Sequence, residues 1–242
     1  MAGIDPLIVD VYAGDPITGS WQKLADAGEP WDGAILHCTQ GRVTNDEGWF
    51  LSNWRALHAV KRANWFGGAY DYWIASDNDV AQAERFLTLI DAAGGWHENS
   101  LWPVIDVEHG GNDGVTKQRV VDGVSTWSAW ILAHTGRRPM LYGGSLLSDL
   151  GITDHLGCGL LWVARWAATL PPSTYESIGW SRDRLWGWQY VGSPSGGSPV
   201  PAGYPSTTPI GQLDTTAMVI DDAAGPTAPL AWVKSRLGSL LD

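Results

Sequence analysis

Apolar residues in this 242-residue chain fall into short runs, and between the runs they recur at helical spacing. Leu7-Ile-Val-Asp-Val11 reads as a strand, followed by the turn Ala13-Gly-Asp-Pro16 and a short helix over Trp21–Ala27 closed by Gly28. Ala34–Cys38 reads as a second strand, ending in Thr39-Gln-Gly41. From Glu47 to Ala63, Phe50, Leu51, Trp54, Leu57 and Val60 mark one helical face. Phe66–Tyr72 is a third strand whose glycines suggest close backbone approach, and a helix over Asp77–Ala92 follows it. Pro103–Glu108, Pro139–Tyr142, Leu160–Ala164, Leu185–Tyr190 and Ile210–Asp214 complete a set of eight strands, with a helix over Thr116–His134 after the fourth.

Alternating strands and helices predict a parallel sheet, and about eight strands in one chain predict a barrel. The last three strands are separated by Pro-, Gly- and Ser-rich segments in place of clear helices. The expected fold is therefore α/β, an irregular TIM-like (β/α) barrel with reduced helices in its second half. Ser193–Pro209 is expected to be a surface loop, and Ala228–Leu241 a terminal amphipathic helix packed on the barrel, from about residue 226 to 242. Length and the lack of a domain-scale linker predict one domain over 1–242.

Composition narrows the function. A net charge of −11 argues against nucleic acid, whose binding rests on Lys and Arg neutralising phosphates, and against a basic patch docking on an anionic wall. No apolar stretch reaches the length of a bilayer span, and Met-Ala-Gly-Ile-Asp-Pro does not read as a secretory signal. The expectation is a protein made in the cytoplasm. Two cysteines, Cys38 and Cys158, cannot form a disulfide framework, and Cys38 in its apolar run is expected to be a reduced, buried thiol. Sixteen tryptophans suit both a packed core and stacking on sugar rings, so their number alone is a weak signal.

The chemistry lies in Leu101-Trp-Pro-Val-Ile-Asp-Val-Glu108. Side chains two residues apart on a strand share a face, so Asp106 and Glu108 stand side by side, with Cα atoms roughly 6–7 Å apart. Apolar neighbours around two adjacent acids push one pKa upward, which gives a proton donor beside a charged partner. Asp10 and Asp214 also fall at predicted strand ends, and strands one and eight of a barrel lie side by side. At the C-terminal face of a parallel barrel these four acids would line one site. A polar strand end or a cap would account for any one of them alone.

In these motifs the chain resembles glycoside hydrolase family 25, the lysozymes that cut between N-acetylmuramic acid and N-acetylglucosamine. The resemblance is carried by Val9-Asp10-Val11, Ser20-Trp-Gln-Lys-Leu24 with Ala27-Gly28, Leu36-His-Cys-Thr-Gln-Gly41, and Gly68-Ala-Tyr-Asp-Tyr72. It continues in Asp106-Val-Glu108, Pro139-Met-Leu-Tyr142, Leu161-Trp-Val-Ala164, Trp188-Gln-Tyr190 and Asp214, in order over roughly residues 5–220. Three positions depart from the family pattern. His37 stands for a lysine, Gln40 for a glutamate and Asp71 for a histidine, all placed by the resemblance in the ring that contacts sugar.

The resemblance implies a muramidase, endolysin-like, with Glu108 as general acid and no cofactor or metal. Either a carboxylate activates water, or the substrate's N-acetyl group attacks while Asp106 orients it. The Asp-x-Glu spacing favours the second route without excluding the first. Asp10 and Asp214 would bind hydroxyls or tune Glu108, Tyr70 and Tyr142 would bond the reacting sugar, and Trp162 would be a stacking wall. Gln189 and His37 are candidate polar contacts. The expected partner is the glycan strand of the bacterial wall, met as a monomer, with a holin-type protein for release. The alternatives are a carbohydrate-binding barrel without chemistry, a hydrolase of another N-acetylhexosamine polymer such as chitin, and a metal hydrolase using Glu108-His109 with Asn112-Asp113, for which the His/Cys spacing of a zinc site is missing.

Overall fold

The computed structural model describes residues 6–15, 17–28, 30–43, 46–192, 200, 204–205, 207–210 and 213–218. The expected terminal helix and most of the expected Ser193–Pro209 loop lie outside these residues. Eight strands close a barrel in sequence order: β1 (Leu7–Val11), β2 (Trp31–Gln40), β3 (Phe66–Tyr72), β4 (Val104–Val107), β5 (Met140–Gly143), β6 (Leu160–Ala164), β7 (Leu185–Val191) and β8 (Asp214–Met218). Helices α1 (Trp21–Asp26), α2 (Glu47–His58), α3 (Asp79–Ala93) and α4 (Lys117–Thr135) cover the first half. Among the described residues, the second half carries the one-turn helices α5 (Ser145–Asp149) and α6 (Ser173–Glu176) and a 3-10 turn. This is the irregular barrel the sequence predicts.

Local chemistry sets the helix ends. Ser20, Asp46, Asn78 and Thr116 each accept a hydrogen bond from the backbone N–H three residues on, satisfying one of the free donors of a first turn. Gly136 ends α4 in the left-handed region, where a side chain is strained. The helix expected to reach Ala63 stops at His58, and Asn64 takes a positive φ as the chain turns into β3.

Strand alternation divides the core in two. Ile8, Ile35, Phe66, Val104, Met140, Leu160 and Trp186 fill the barrel interior, while Leu7, Val9, Leu36, Ile105, Leu141 and Leu161 face the surrounding helices and loops. Bulges reset this alternation. On β7 the register against β6 jumps from Leu185 to Gly187, so Trp186 and Gln189 both reach the inside although three residues apart.

One element differs from the expected pattern. Strand eight is not Ile210–Asp214 running parallel; it begins at Asp214 and runs antiparallel to both β1 and β7. Ile210 and Leu213 are apolar because they are buried, not because they pair: the Ile210 carbonyl accepts from the Thr18 N–H, a loop contact. The true strand reads Asp-Thr-Thr-Ala-Met, and its buried threonines conceal it from a hydropathy pattern. The reversal still brings Asp214 to the catalytic end, because the start of an antiparallel strand lies beside the finish of its neighbours.

Asp71 departs from its expected place. Its neighbour Tyr70 packs on the barrel interior, and Asp71 points the other way, wholly buried, accepting from Thr39 Oγ1 (2.7 Å) and from Trp127 Nε1 of α4 (2.8 Å). It links β3 to the helical layer and does not reach a sugar. Burial pushes its pKa from 3.8 up to about 8, against the two hydrogen bonds that favour the anion. Folding therefore takes up a proton here. The group's contribution is full below its unfolded pKa and is lost as pH rises toward 8, at a cost on the order of a few kcal/mol. Asp71→Asn, which can accept from Trp127 and donate to Thr39, is expected to flatten the fall of melting temperature between about pH 5 and about pH 9. Parallel curves for the two proteins would refute the assignment.

Candidate active site

Four acids meet at the C-terminal mouth of the barrel. Asp10 follows Ile8 and Asp106 follows Val104 on the inward face of their strands, and Asp214 sits directly opposite Asp10 in the β1–β8 register. Glu108 is two residues beyond Asp106 on the loop leaving β4. That loop is clamped: Asn112 Nδ2 donates to the carbonyls of Glu108 (2.8 Å) and Trp73 (2.9 Å), and its Oδ1 accepts from the Ala75 N–H (2.7 Å). Tyr72 adds a bond from its hydroxyl to the Gly110 carbonyl at 2.6 Å. The Glu108 carboxyl itself is half-buried and makes no hydrogen bond among the described residues.

Burial is the first cause of every acid's shift here. It holds Asp10 well above the ordinary range, aided by Asp214, Asp15 and Glu108, and it does the same for Asp106, aided by Glu108 and Asp10. Asp214 is raised to about 7, and Glu108 is raised too, with His109 pulling the other way. The four groups feel one another's charge, so they cannot all ionise at neutral pH without mutual cost. One oxygen each of Asp10, Asp106 and Asp214 is shut off from solvent without a hydrogen-bond partner. Such closed-off atoms are costly to leave unpaired, and costlier still as anions, which favours the protonated acids. Tyr70 and Tyr142 keep their phenol protons, since burial and the surrounding acids raise both pKa values far above 10. Among the described residues, no group of three or more His, Cys, Asp or Glu side chains is arranged to hold a metal ion.

The family model for glycosyl hydrolases family 25 matches residues 9–197. The chain belongs to that family. Among curated proteins, the uncharacterized protein YegX of Escherichia coli O6:H1 is 26% identical over 170 residues, 69% of this chain; the chain spans 57% of that relative's length. Among solved structures, the bacterial lysozyme from Streptomyces coelicolor superposes with a TM-score of 0.70 at 20% identity, covering 96% of this chain and 98% of the other. The catalytic domain of endolysin ply40 from bacteriophage P40 of Listeria monocytogenes does so at 0.62 and 18%, covering 97% and 99%. At these identities the two likenesses show a shared fold.

Within this family 25 barrel the remaining expected site residues take distinct places. Tyr70 stacks on His37, ring centroids 4.9 Å apart, and His37 Nε2 lies 2.9 Å from the Thr39 carbonyl. Burial pulls His37 down to about 4, so it is neutral at neutral pH and supplies no cation to the acids. Trp162 is no exposed wall: it is 1% exposed in the barrel interior, with Nε1 donating to Thr216 Oγ1 at 2.9 Å. It packs edge-on against Tyr142 and forms part of the floor. Gln189 is buried too, and its contacts are all internal. Gln40 ends β2, in a bridge to Val43.

The sequence reading missed the accessible side chains around the mouth. The exposed large hydrophobic residues among those described are Tyr12, Val43 and Trp166, each just past the C-terminal end of a strand on the acids' side of the barrel. Exposure of an aromatic leaves no mark on a pattern already crowded with tryptophans. Asn112 enters the sequence reading only through the metal-hydrolase alternative, yet it is 2% exposed and spans three backbone groups. Asn112→Ala strands those groups, and a total loss of at least about 1–3 kcal/mol of stability is expected, the cost of one unsatisfied buried group. Chemical denaturation measures this, and turnover of any substrate should fall further than stability alone explains because Glu108 loses its anchor. An unchanged midpoint would show the clamp to be dispensable.

Proposed function

We propose that this chain is a peptidoglycan hydrolase of the muramidase type, cleaving the β-1,4 bond between N-acetylmuramic acid and N-acetylglucosamine. The observation that carries the reading is the meeting of Asp10, Asp106, Glu108 and Asp214 in one partly dry mouth, on a barrel of family 25. Lysozyme neighbours with the same fold support the substrate class. The wall of a bacterium is the proposed place of action. An enzyme held inside a cell would need a holin-type protein to reach it.

Glu108 is the proposed general acid. Its half-buried carboxyl, free of hydrogen bonds among the described residues and raised in pKa, can give its proton to the leaving glycosidic oxygen. In the same step the acetamido carbonyl oxygen of the muramyl unit attacks the anomeric carbon and forms a cyclic oxazolinium. Asp106 accepts from the acetamido N–H, which orients the nucleophile and offsets the positive charge. Water then opens the ring at the anomeric carbon while the Glu108 carboxylate takes a proton from that water, which restores the acid. Asp10 and Asp214 hold hydroxyls, and the protonated phenol of Tyr70 is a close donor beside the reacting sugar, while the Tyr142 hydroxyl gives its one proton to Gln189.

Two tests follow. Glu108→Gln keeps the shape but removes the proton; release of reducing ends from purified peptidoglycan is expected to drop at least about 100-fold with melting temperature unchanged. Near-normal release by that variant would remove Glu108 from the acid role, and release from chitin oligomers in preference to peptidoglycan would change the substrate. The second concerns pH. A donor works only while protonated, so kcat/KM is expected to fall as pH rises through the raised pKa of Glu108. A profile still level well into the alkaline range would contradict a carboxyl donor.

A further inference from the structure

Gln189 is 1% exposed, and every hydrogen-bonding position of its amide is occupied. Its Nε2 donates to Asp10 Oδ2 at 3.1 Å and to Asp214 Oδ2 at 3.3 Å. Its Oε1 accepts from the Tyr142 hydroxyl at 2.6 Å and from Trp166 Nε1 at 3.0 Å. A primary amide has two donor hydrogens and two acceptor lone pairs, so nothing remains for a substrate. The two acceptor contacts also fix which way the amide faces: turned over, it would set its N–H groups against two other donors and its oxygen against two acids.

Trp166, at the other end of this chain of bonds, is 55% exposed yet tightly held. Its indole N–H is turned inward to Gln189. The adjoining Arg165 is pinned on both sides, its N–H to the Gln189 carbonyl (3.1 Å) and its carbonyl to Trp188 Nε1 (2.6 Å). The ring edge also abuts Gly192, where a Cβ would come within 2.1 Å of the indole. What is left open is a fixed aromatic surface beside two carboxylates that are themselves only partly buried at the mouth.

We propose that Trp166 is a stacking platform for a pyranose ring at the mouth, and that Gln189 is the positioning residue that ties this platform to the Asp10–Asp214 pair. A sugar suits both parts, since its C–H face lies on an aromatic ring while its hydroxyls donate to carboxylates. A purely apolar partner would bury the two acids unpaired, which is unfavourable. The inference rests on the glycan substrate proposed above and names where one ring of it sits. It also moves Gln189 from substrate contact to support: the platform and the acid pair share one amide, so a shift of either is felt by the other.

Two substitutions separate the parts. Trp166→Ala removes ring and N–H together, and KM for soluble peptidoglycan chains is expected to rise about 10-fold, the loss of a stacking contact. Trp166→Phe keeps a flat ring but cuts the bond to Gln189. It is expected to keep most of the affinity, to lower kcat several-fold and to shift the pH profile, because the amide no longer holds Asp10 and Asp214, which also face Asp15, Glu108 and Asp106. Gln189→Leu should reproduce the kcat and pH effects with the tryptophan intact. An unchanged KM in Trp166→Ala would overturn the platform, and an unchanged kcat and pH profile in both Trp166→Phe and Gln189→Leu would overturn the link. Calorimetric binding of the same chains to Glu108→Gln, with and without Trp166→Ala, reads the platform without turnover. Absence of any cleavage by the wild type would instead count against the proposed hydrolysis.

Discussion

Mutual repulsion among buried carboxylates is the constraint on which the rest of this structure depends. Asp10 and Asp214 are paired across the seam that closes the barrel, and Asp106 stands on the same inward face. Burial alone would keep each of them protonated to higher pH, and their proximity adds to the effect. A cation among them would relieve the strain, but the position where the family carries lysine holds His37, which burial keeps neutral. The relief that exists comes from neutral donors, the Gln189 amide on Asp10 and Asp214 and the Val11 N–H on Asp10. Such donors steady the acids without fixing them all as anions, which is the state a proton-donating site needs.

The barrel seam explains why the eighth strand runs backwards to good effect. A parallel strand would have to enter from the far end and finish at the mouth. The antiparallel β8 starts at the mouth, so its first residue, Asp214, reaches the site at once. Trp162 and Thr216 then tie β6 to β8 across the interior, below the acids. The floor of the site and the closure of the fold are therefore the same set of contacts.

Much of this was legible in the sequence. Seven strands follow from apolar runs of the right length, and Asp106-x-Glu108 follows from strand periodicity, because both signals are local. Strand direction is not local: Ile210 and Leu213 are as apolar as a strand but serve a buried loop, while Thr215 and Thr216 form a strand in polar disguise. Bulges hide in the same way. The inward turn of Gln189 depends on one extra residue near Trp186, which no alternation pattern displays. Asp71 was read by family position as a sugar contact, but strand parity places it in the outer layer against Trp127. Trp162, expected as a wall, lies in the floor, and Trp166, four positions on, stands at the rim, because exposure is set by packing that only the closed barrel reveals.

Protonation of the resting site can be read directly. Carbon-13 spectra of the protein with labelled Asp and Glu side-chain carboxyls, titrated from about pH 3 to about pH 9, report the charge of each acid, with single Asn or Gln variants assigning the signals. The account predicts that at least one of the four mouth carboxyls stays protonated well above the ordinary carboxylate range, and that removing one acid lowers the titration of the others. Four independent titrations near the ordinary values would mean that the charges neither meet nor repel, and the site described here would not exist.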